Sequence, residues 1–250
     1  MPTWRDKAIV LRRRTLRDAD RHFTLFTERR GKVVLLAKGS RSGKSKMAPH
    51  LSSFGVVEVM GAEGRLIDRL AGASLVHSWP GVFASLQKMA VAQSFLLTVD
   101  ALTKRDLPDQ RIFQLLTEFL DALDGSAERR EGERTLLFDA AVLKLLALLG
   151  HALELDACVR CRRPPAPRGN ALNLIGGGLE CPLCRDPAAM DLPLSTVEAL
   201  RGLRARPFAA TAVADLAAVR PELQLITDLA LTVQAEARLP AMKYLRSLTR

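Results

Sequence analysis

The 250-residue sequence predicts an α+β chain. A five-stranded, OB-like antiparallel barrel is expected over residues 1–80, followed by an α-helical domain over 81–250 with a four-cysteine module inserted at 156–190. Three observations predict it. Short runs of β-forming residues end at about residue 80, the apolar period beyond it is helical, and the four cysteines all fall as two matched pairs in one window.

Each element has its own signal. Ala8-Ile9-Val10-Leu11 is an apolar run between charged flanks. Residues 21–27 are rich in β-formers, with Phe23 and Leu25 on one face and Thr24 and Phe26 on the other. Glu28-Arg29-Arg30-Gly31 reads as a hairpin turn into a strand at 32–37. After a long polar loop come a strand at 56–60, a turn at 61–64 and a last strand at 65–76. Five short strands with tight turns and one long connection suit a small barrel. Trp79-Pro80-Gly81 marks its end, because proline and glycine together stop regular pairing.

Helical periodicity then gives one run closing near Leu102 and a second at 109–123, with Ile112, Leu115, Leu116, Phe119 and Leu123 on one face. Residues 124–133 form a charged linker, and 135–155, apolar on most sides, read as a central helix. Helices resume at 194–203 and 222–239, with a closing helix at 240–248.

Composition narrows the setting. Hydrophobic residues make up 48% and charged residues 26%, an ordinary globular profile. Residues 1–7 lack the apolar core of a signal peptide, and Asp139, Lys144, His151 and Glu154 interrupt the best membrane-span candidate. The expectation is a cytoplasmic protein without a membrane partner. Charge is one-sided: residues 1–50 hold 14 Lys/Arg against 4 Asp/Glu, and the remaining 200 residues are balanced. The whole excess of +10 therefore lies in the first fifth of the chain, which points to a polyanion partner.

The cysteines read Cys158-x2-Cys161-x19-Cys181-x2-Cys184. Each Cys-x2-Cys turn converges two sulfurs on one ion, and a loop of this length lets the pairs meet tetrahedrally, so one zinc ion is expected. Four thiolates leave no open position for an activated water, which makes the zinc structural. A redox dithiol and an iron–sulfur centre are the weaker rivals. Arg160, Arg162, Arg163, Arg168 and Arg185 surround the module, either as a second nucleic-acid contact or as solvated charge.

The candidate nucleic-acid contacts are Arg12, Arg13, Arg14 and Arg17 near the end of the first strand, with Lys38, Arg41, Lys44 and Lys46 in the long loop. Glycine and serine between the loop cations allow close backbone approach to phosphates. The loop is no phosphate-binding nucleotide motif: three residues, not four, separate Gly39 from Gly43, and Pro49 falls where a helix would have to run. Phe23, Phe26 and Phe54 sit where a barrel buries them; Trp4 alone could serve as a stacking platform. Scarce aromatics favour phosphate contacts and salt-sensitive, sequence-tolerant binding. His22, His50, His77 and His151 show no metal or catalytic spacing, and no paired carboxylates or nucleophile motif occurs, so a non-enzymatic role is expected.

The combination resembles a known family. Ala8-Ile9-Val10-Leu11, Asp18-Ala19-Asp20-Arg21, Leu25-Phe26-Thr27, Gly31-Lys32 and Ala37-Lys38-Gly39-x-Arg41-x2-Lys44-Ser45 look like the N-terminal signature of RecO. Gly177-Gly178-x2-Cys181-x2-Cys184 resembles that family's zinc module. One departure is Ser53, where the family often has a proline before the phenylalanine matching Phe54. The resemblance implies a DNA repair and recombination mediator that binds single- and double-stranded DNA and anneals complementary strands. It implies RecR and the single-stranded-DNA-binding protein SSB as partners, assistance to the recombinase on SSB-coated strands, and a nucleoid-associated place in the cytoplasm. Lys38, Arg41 and Lys44 are the loop cations it singles out. Read from the residues alone, an RNA-binding or ribosome-associated zinc-ribbon protein shares the same features.

Overall fold

A computed structural model describes residues 2–16, 20–40, 47–51, 54–126, 131–211 and 216–234. Five strands come first: β1 (Thr3–Thr15), β2 (Arg21–Thr27), β3 (Gly31–Ala37), β4 (Gly55–Ala62) and β5 (Asp68–Ser78). They close a barrel in the order β1-β2-β3-β5-β4, with β4 returning to β1. Four of its seams are antiparallel, as expected. The β3–β5 seam is parallel and short, pairing Leu35 with Asp68 and Leu36 with Arg69.

β1 is much longer than its apolar run suggests, because it serves two neighbours. Residues 3–9 pair with β4 and residues 8–15 with β2, with an irregularity between Val10 and Arg12. Ala8 and Val10 enter the barrel core together with Phe23, Leu25, Val33, Leu35, Val57, Val59 and Leu70. Ile9, Leu11 and Phe26 are equally buried but belong to the outer face, where α2 (Leu86–Leu102) packs on β1. Burial on both faces is what an unbroken apolar run in a strand signifies. The turn expected at 61–64 falls later. β4 continues to Ala62, and Gly64 N–H donates to Asp68 Oδ1 at 3.2 Å, closing a turn that delays β5 until Asp68.

Trp4 corrects an expectation. It lies in the core cluster, its Nε1 donates to Asp68 Oδ2 at 3.2 Å, and its ring packs on Gly61, where a Cβ would come within 2.3 Å. It is a core residue and no stacking platform. Phe54 is buried as expected and adopts a left-handed φ of 65°; Ser53 before it lies outside the described residues.

The chain divides into two compact units, Met1–Gly125 and Ser126–Arg250. The first contains the barrel, the short α1 (Pro80–Phe83), α2 and α3 (Gln110–Gly125). α3 buries the predicted face, with Phe119 against Phe95 of α2 at 4.5 Å between ring centroids. In the second unit α4 (Glu131–Leu148) is buried on all sides over Leu136–Leu143, Asp139 included, whose carboxylate accepts a hydrogen bond from Thr227 Oγ1 at 2.8 Å. The helix stops well before residue 155. Gly150 takes φ 85° and His151 N–H reaches back to Leu146 O at 2.8 Å, a glycine C-cap that ends the helix. α5 (Leu194–Ala205), α6 (Phe208–Thr211) and α7 (Arg220–Gln234) pack around α4. The closing helix expected at 240–248 lies outside the described residues. No helix among the described residues is long and apolar enough to cross a membrane.

Candidate nucleic-acid interface and metal centre

Between α4 and α5 the chain builds a three-stranded sheet, β6 (Ala171–Asn173), β7 (Gly178–Glu180) and β8 (Met190–Asp191), in the order β7-β6-β8. Two turns carry the cysteines. Arg162 N–H donates to Cys158 O at 2.9 Å, with Arg162 at φ 62°, and Cys184 N–H donates to Cys181 O at 2.9 Å. The four sulfurs all lie within 4.8 Å of one another and could hold a metal ion. The Cys161–Cys181 sulfur separation is 3.6 Å, far longer than a disulfide, and all four cysteines are free.

The donor chemistry fits a tetrahedral thiolate site. Burial disfavours the Cys158 thiolate, yet hydrogen bonds from backbone groups of Cys161, Cys181 and Arg160 bring its pKa down to about 6. Cys184 is pushed up to about 12, foremost by its hydrogen bond with Cys161 and then by burial. Crowded thiols cannot all ionise beside one another; a divalent cation at their centre is the charge that lets them.

The module is braced from two sides. Gly178 lies so close to Glu154 O that a Cβ would sit 2.3 Å away, and Leu179 N–H donates to the same carbonyl at 2.8 Å. From α5, Arg204 Nη1 donates to Leu153 O at 2.7 Å and Arg201 pairs with Asp156 at 2.9 Å. Inside the module Glu180 is buried and accepts from Arg160 Nε, Asn173 Nδ2 and the Asp186 N–H. Burial opposes its ionisation, but those hydrogen bonds and the Arg160 charge hold its carboxyl below the usual range.

Three of the five module arginines are thereby committed. Arg160 pairs with Glu180 and Asp186, Arg162 with Glu154, and Arg185 with Asp191. Arg163 and Arg168 are exposed.

The cations of the barrel divide differently. Arg12 pairs with Asp100 of α2 at 2.9 Å. The buried Lys32 meets the same carboxylate at 3.5 Å and donates to Asp100 O at 2.5 Å; burial lowers its pKa despite that partner. Arg29 holds the buried Asp6, and Arg30 lies over the Trp4 ring at 4.7 Å. These side chains secure the fold. Arg13, Arg14 and Lys38 are exposed and meet no carboxylate among the described residues. Strand register brings them to one end of the barrel, because Arg14 faces His22, Thr15 faces Arg21, and Arg21 faces Ala37, next to Lys38. Arg21 joins that end, although in the sequence it reads only as the first residue of a strand. Arg17, Arg41, Lys44 and Lys46 lie outside the described residues. After the loop, residues 48–51 make a single 3-10 turn.

Sequence comparison covers both units. The family described as recombination protein O N terminal matches residues 1–79, and recombination protein O C terminal matches 84–243. A DNA repair protein RecO from Frankia casuarinae is 32% identical over 247 residues, which is 98% of this chain and 99% of that protein. One from Rubrobacter xylanophilus is 33% identical over 215 residues, 85% of each. One from Nocardioides sp. is 33% identical over 220 residues, 87% of each.

Proposed function

This chain belongs to the RecO family of DNA repair proteins, and from that premise we propose that it is a non-enzymatic recombination mediator that grips DNA through the basic end of its barrel. It binds single- and double-stranded DNA, anneals complementary strands and helps load the recombinase on SSB-coated strands, with RecR and SSB as partners at the nucleoid. Residues 1–80 act as the DNA-binding domain and 81–250 as the helical domain. Cys158, Cys161, Cys181 and Cys184 hold one structural Zn²⁺ that orders the module at 156–190.

One observation carries the reading. Arg13, Arg14, Arg21 and Lys38 meet where β1 ends, β2 begins and β3 ends, and in the sequence Arg41, Lys44 and Lys46 follow Lys38 within eight residues. Cations left without carboxylates on a rigid sheet suit phosphate oxygens, which need charge and position but no chemistry.

Fluorescence anisotropy with a labelled single strand tests it. Replacing Lys38, Arg41 and Lys44 together by alanine should lower the slope of log K against log salt by about 2, roughly 0.7 per phosphate contact on a single strand. Annealing of SSB-coated complementary strands should slow in parallel. Unchanged affinity at low salt would sink the assignment, and equal competition by RNA of the same length would remove its DNA preference.

A further inference from the structure

The Arg12-Arg13-Arg14 triplet is split by the pleat of β1. Residues paired across neighbouring strands share a face of the sheet. Arg13 pairs with Phe23, a core residue, and so belongs to the inner face at the barrel mouth. Arg12 and Arg14 belong to the outer face, and Asp100 of α2 has already taken Arg12. Arg14 is the next outward position, beyond that ion pair.

Following its register around the barrel leads to a residue far away in sequence. Arg14 pairs with His22 on β2, His22 with Leu36 on β3, and Leu36 across the parallel seam with Arg69 on β5. Arg69 lies outside the basic first fifth of the chain, where the balanced remainder hides it. It precedes Leu70, which points into the core, so Arg69 itself faces outward. Arg14 and Arg69 are exposed, with no carboxylate partner among the described residues, while His22 and Leu36 between them are half-buried. Strands about 4.8 Å apart put the two arginine backbones about 14 Å from each other.

We infer that this row, Arg14–His22–Leu36–Arg69, is a track for a single nucleic-acid strand across the outer face of the barrel. The two guanidinium groups take phosphates at either side, and the imidazole and leucine form a floor for the sugar or base between them. The inference rests on the DNA-binding reading above and extends it from the loop onto the sheet. It assigns Arg69 a role in binding and gives Arg12 a structural one. The span is shorter than the roughly 4–16 nucleotides an OB fold covers, so the row accounts for one segment of the bound strand.

The test measures oligothymidylate binding by anisotropy through a salt titration. Replacing Arg14 and Arg69 together by alanine should reduce the salt slope by about 1.4, two contacts at about 0.7 each. Arg69→Lys should keep the slope, since the charge stays, and its circular dichroism guards against a folding defect. If the double variant binds like the parent while the Lys38/Arg41/Lys44 variant is weakened, the row is wrong and the loop reading stands. If neither variant is weakened, DNA binding by the barrel fails and the row fails with it.

Discussion

The barrel and the cysteine module both present arginines, and they use them in opposite ways. In the module, Arg160, Arg162 and Arg185 close onto Glu180, Asp186, Glu154 and Asp191, because a segment with three short strands has little apolar volume to hold it together. In the barrel a dozen apolar side chains fill the interior, so several of its exposed cations are released from that duty. Arg13, Arg14, Lys38 and Arg69 face solvent without a carboxylate among the described residues. Arg12 shows that position, not residue type, decides: one pleat away from Arg13 it is bound by Asp100. Counting arginines therefore locates charge, while packing determines which of it is available to a partner.

The comparison can be broken most forcefully at the four-sulfur cluster, where the proposed zinc would sit. Structural zinc contributes on the order of 10 kcal/mol in small zinc peptides. Strong chelation, or Cys158→Ser, should make 156–190 the preferred site of limited proteolysis while the salt slope for DNA stays at the parent value. Loss of DNA binding together with the metal would show that the two regions do not hold their folds independently. The next effect belongs to the barrel. Gly61→Ala drives a Cβ to within 2.3 Å of the Trp4 ring, and overpacking of this kind costs about 1–3 kcal/mol. A denaturation midpoint should fall accordingly, with metal content unchanged.

Glu180→Gln sharpens the contrast from within the module. It removes the charge that three donors converge on, a loss of about 1.5–3 kcal/mol for charged hydrogen bonds. Release of metal to a competing chelator should quicken; an unchanged rate would remove Glu180 as the organising group. The smallest effect is Arg185→Ala, whose exposed partner Asp191 limits the cost to within about 1 kcal/mol. Its DNA salt slope should match the parent, and a drop of 0.7–0.9 would reveal a phosphate contact on the module after all.

Local signals in the sequence were sufficient for much of this. Alternation placed β2 and β3 at their observed positions, and the apolar face of α3 is the one that is buried. The two Cys-x2-Cys turns announced a four-sulfur cluster because ligand geometry is encoded in the spacing itself. What stayed hidden depended on partners distant along the chain. Residues 12–15 read as a charged flank, yet pairing with β2 makes them strand. Apolar residues continue past Leu148, but Gly150 ends the helix by its backbone geometry. Nothing near Arg12 or Lys32 announces Asp100, and nothing near Arg69 announces Leu36, since those contacts exist only once the barrel has closed.

The closure itself has a consequence. Around most of its circumference the barrel is laced by seven or more paired residues per seam, whereas β3 and β5 meet over only two. A hoop fastened by so brief a clasp loosens there first, so the backbone amides of 35–36 and 68–69 that point into this seam should exchange with heavy water ahead of those that point into the other seams. A strand laid across Arg69 would press on that clasp and slow the exchange, turning the weakest stitch of the domain into a reporter of its cargo.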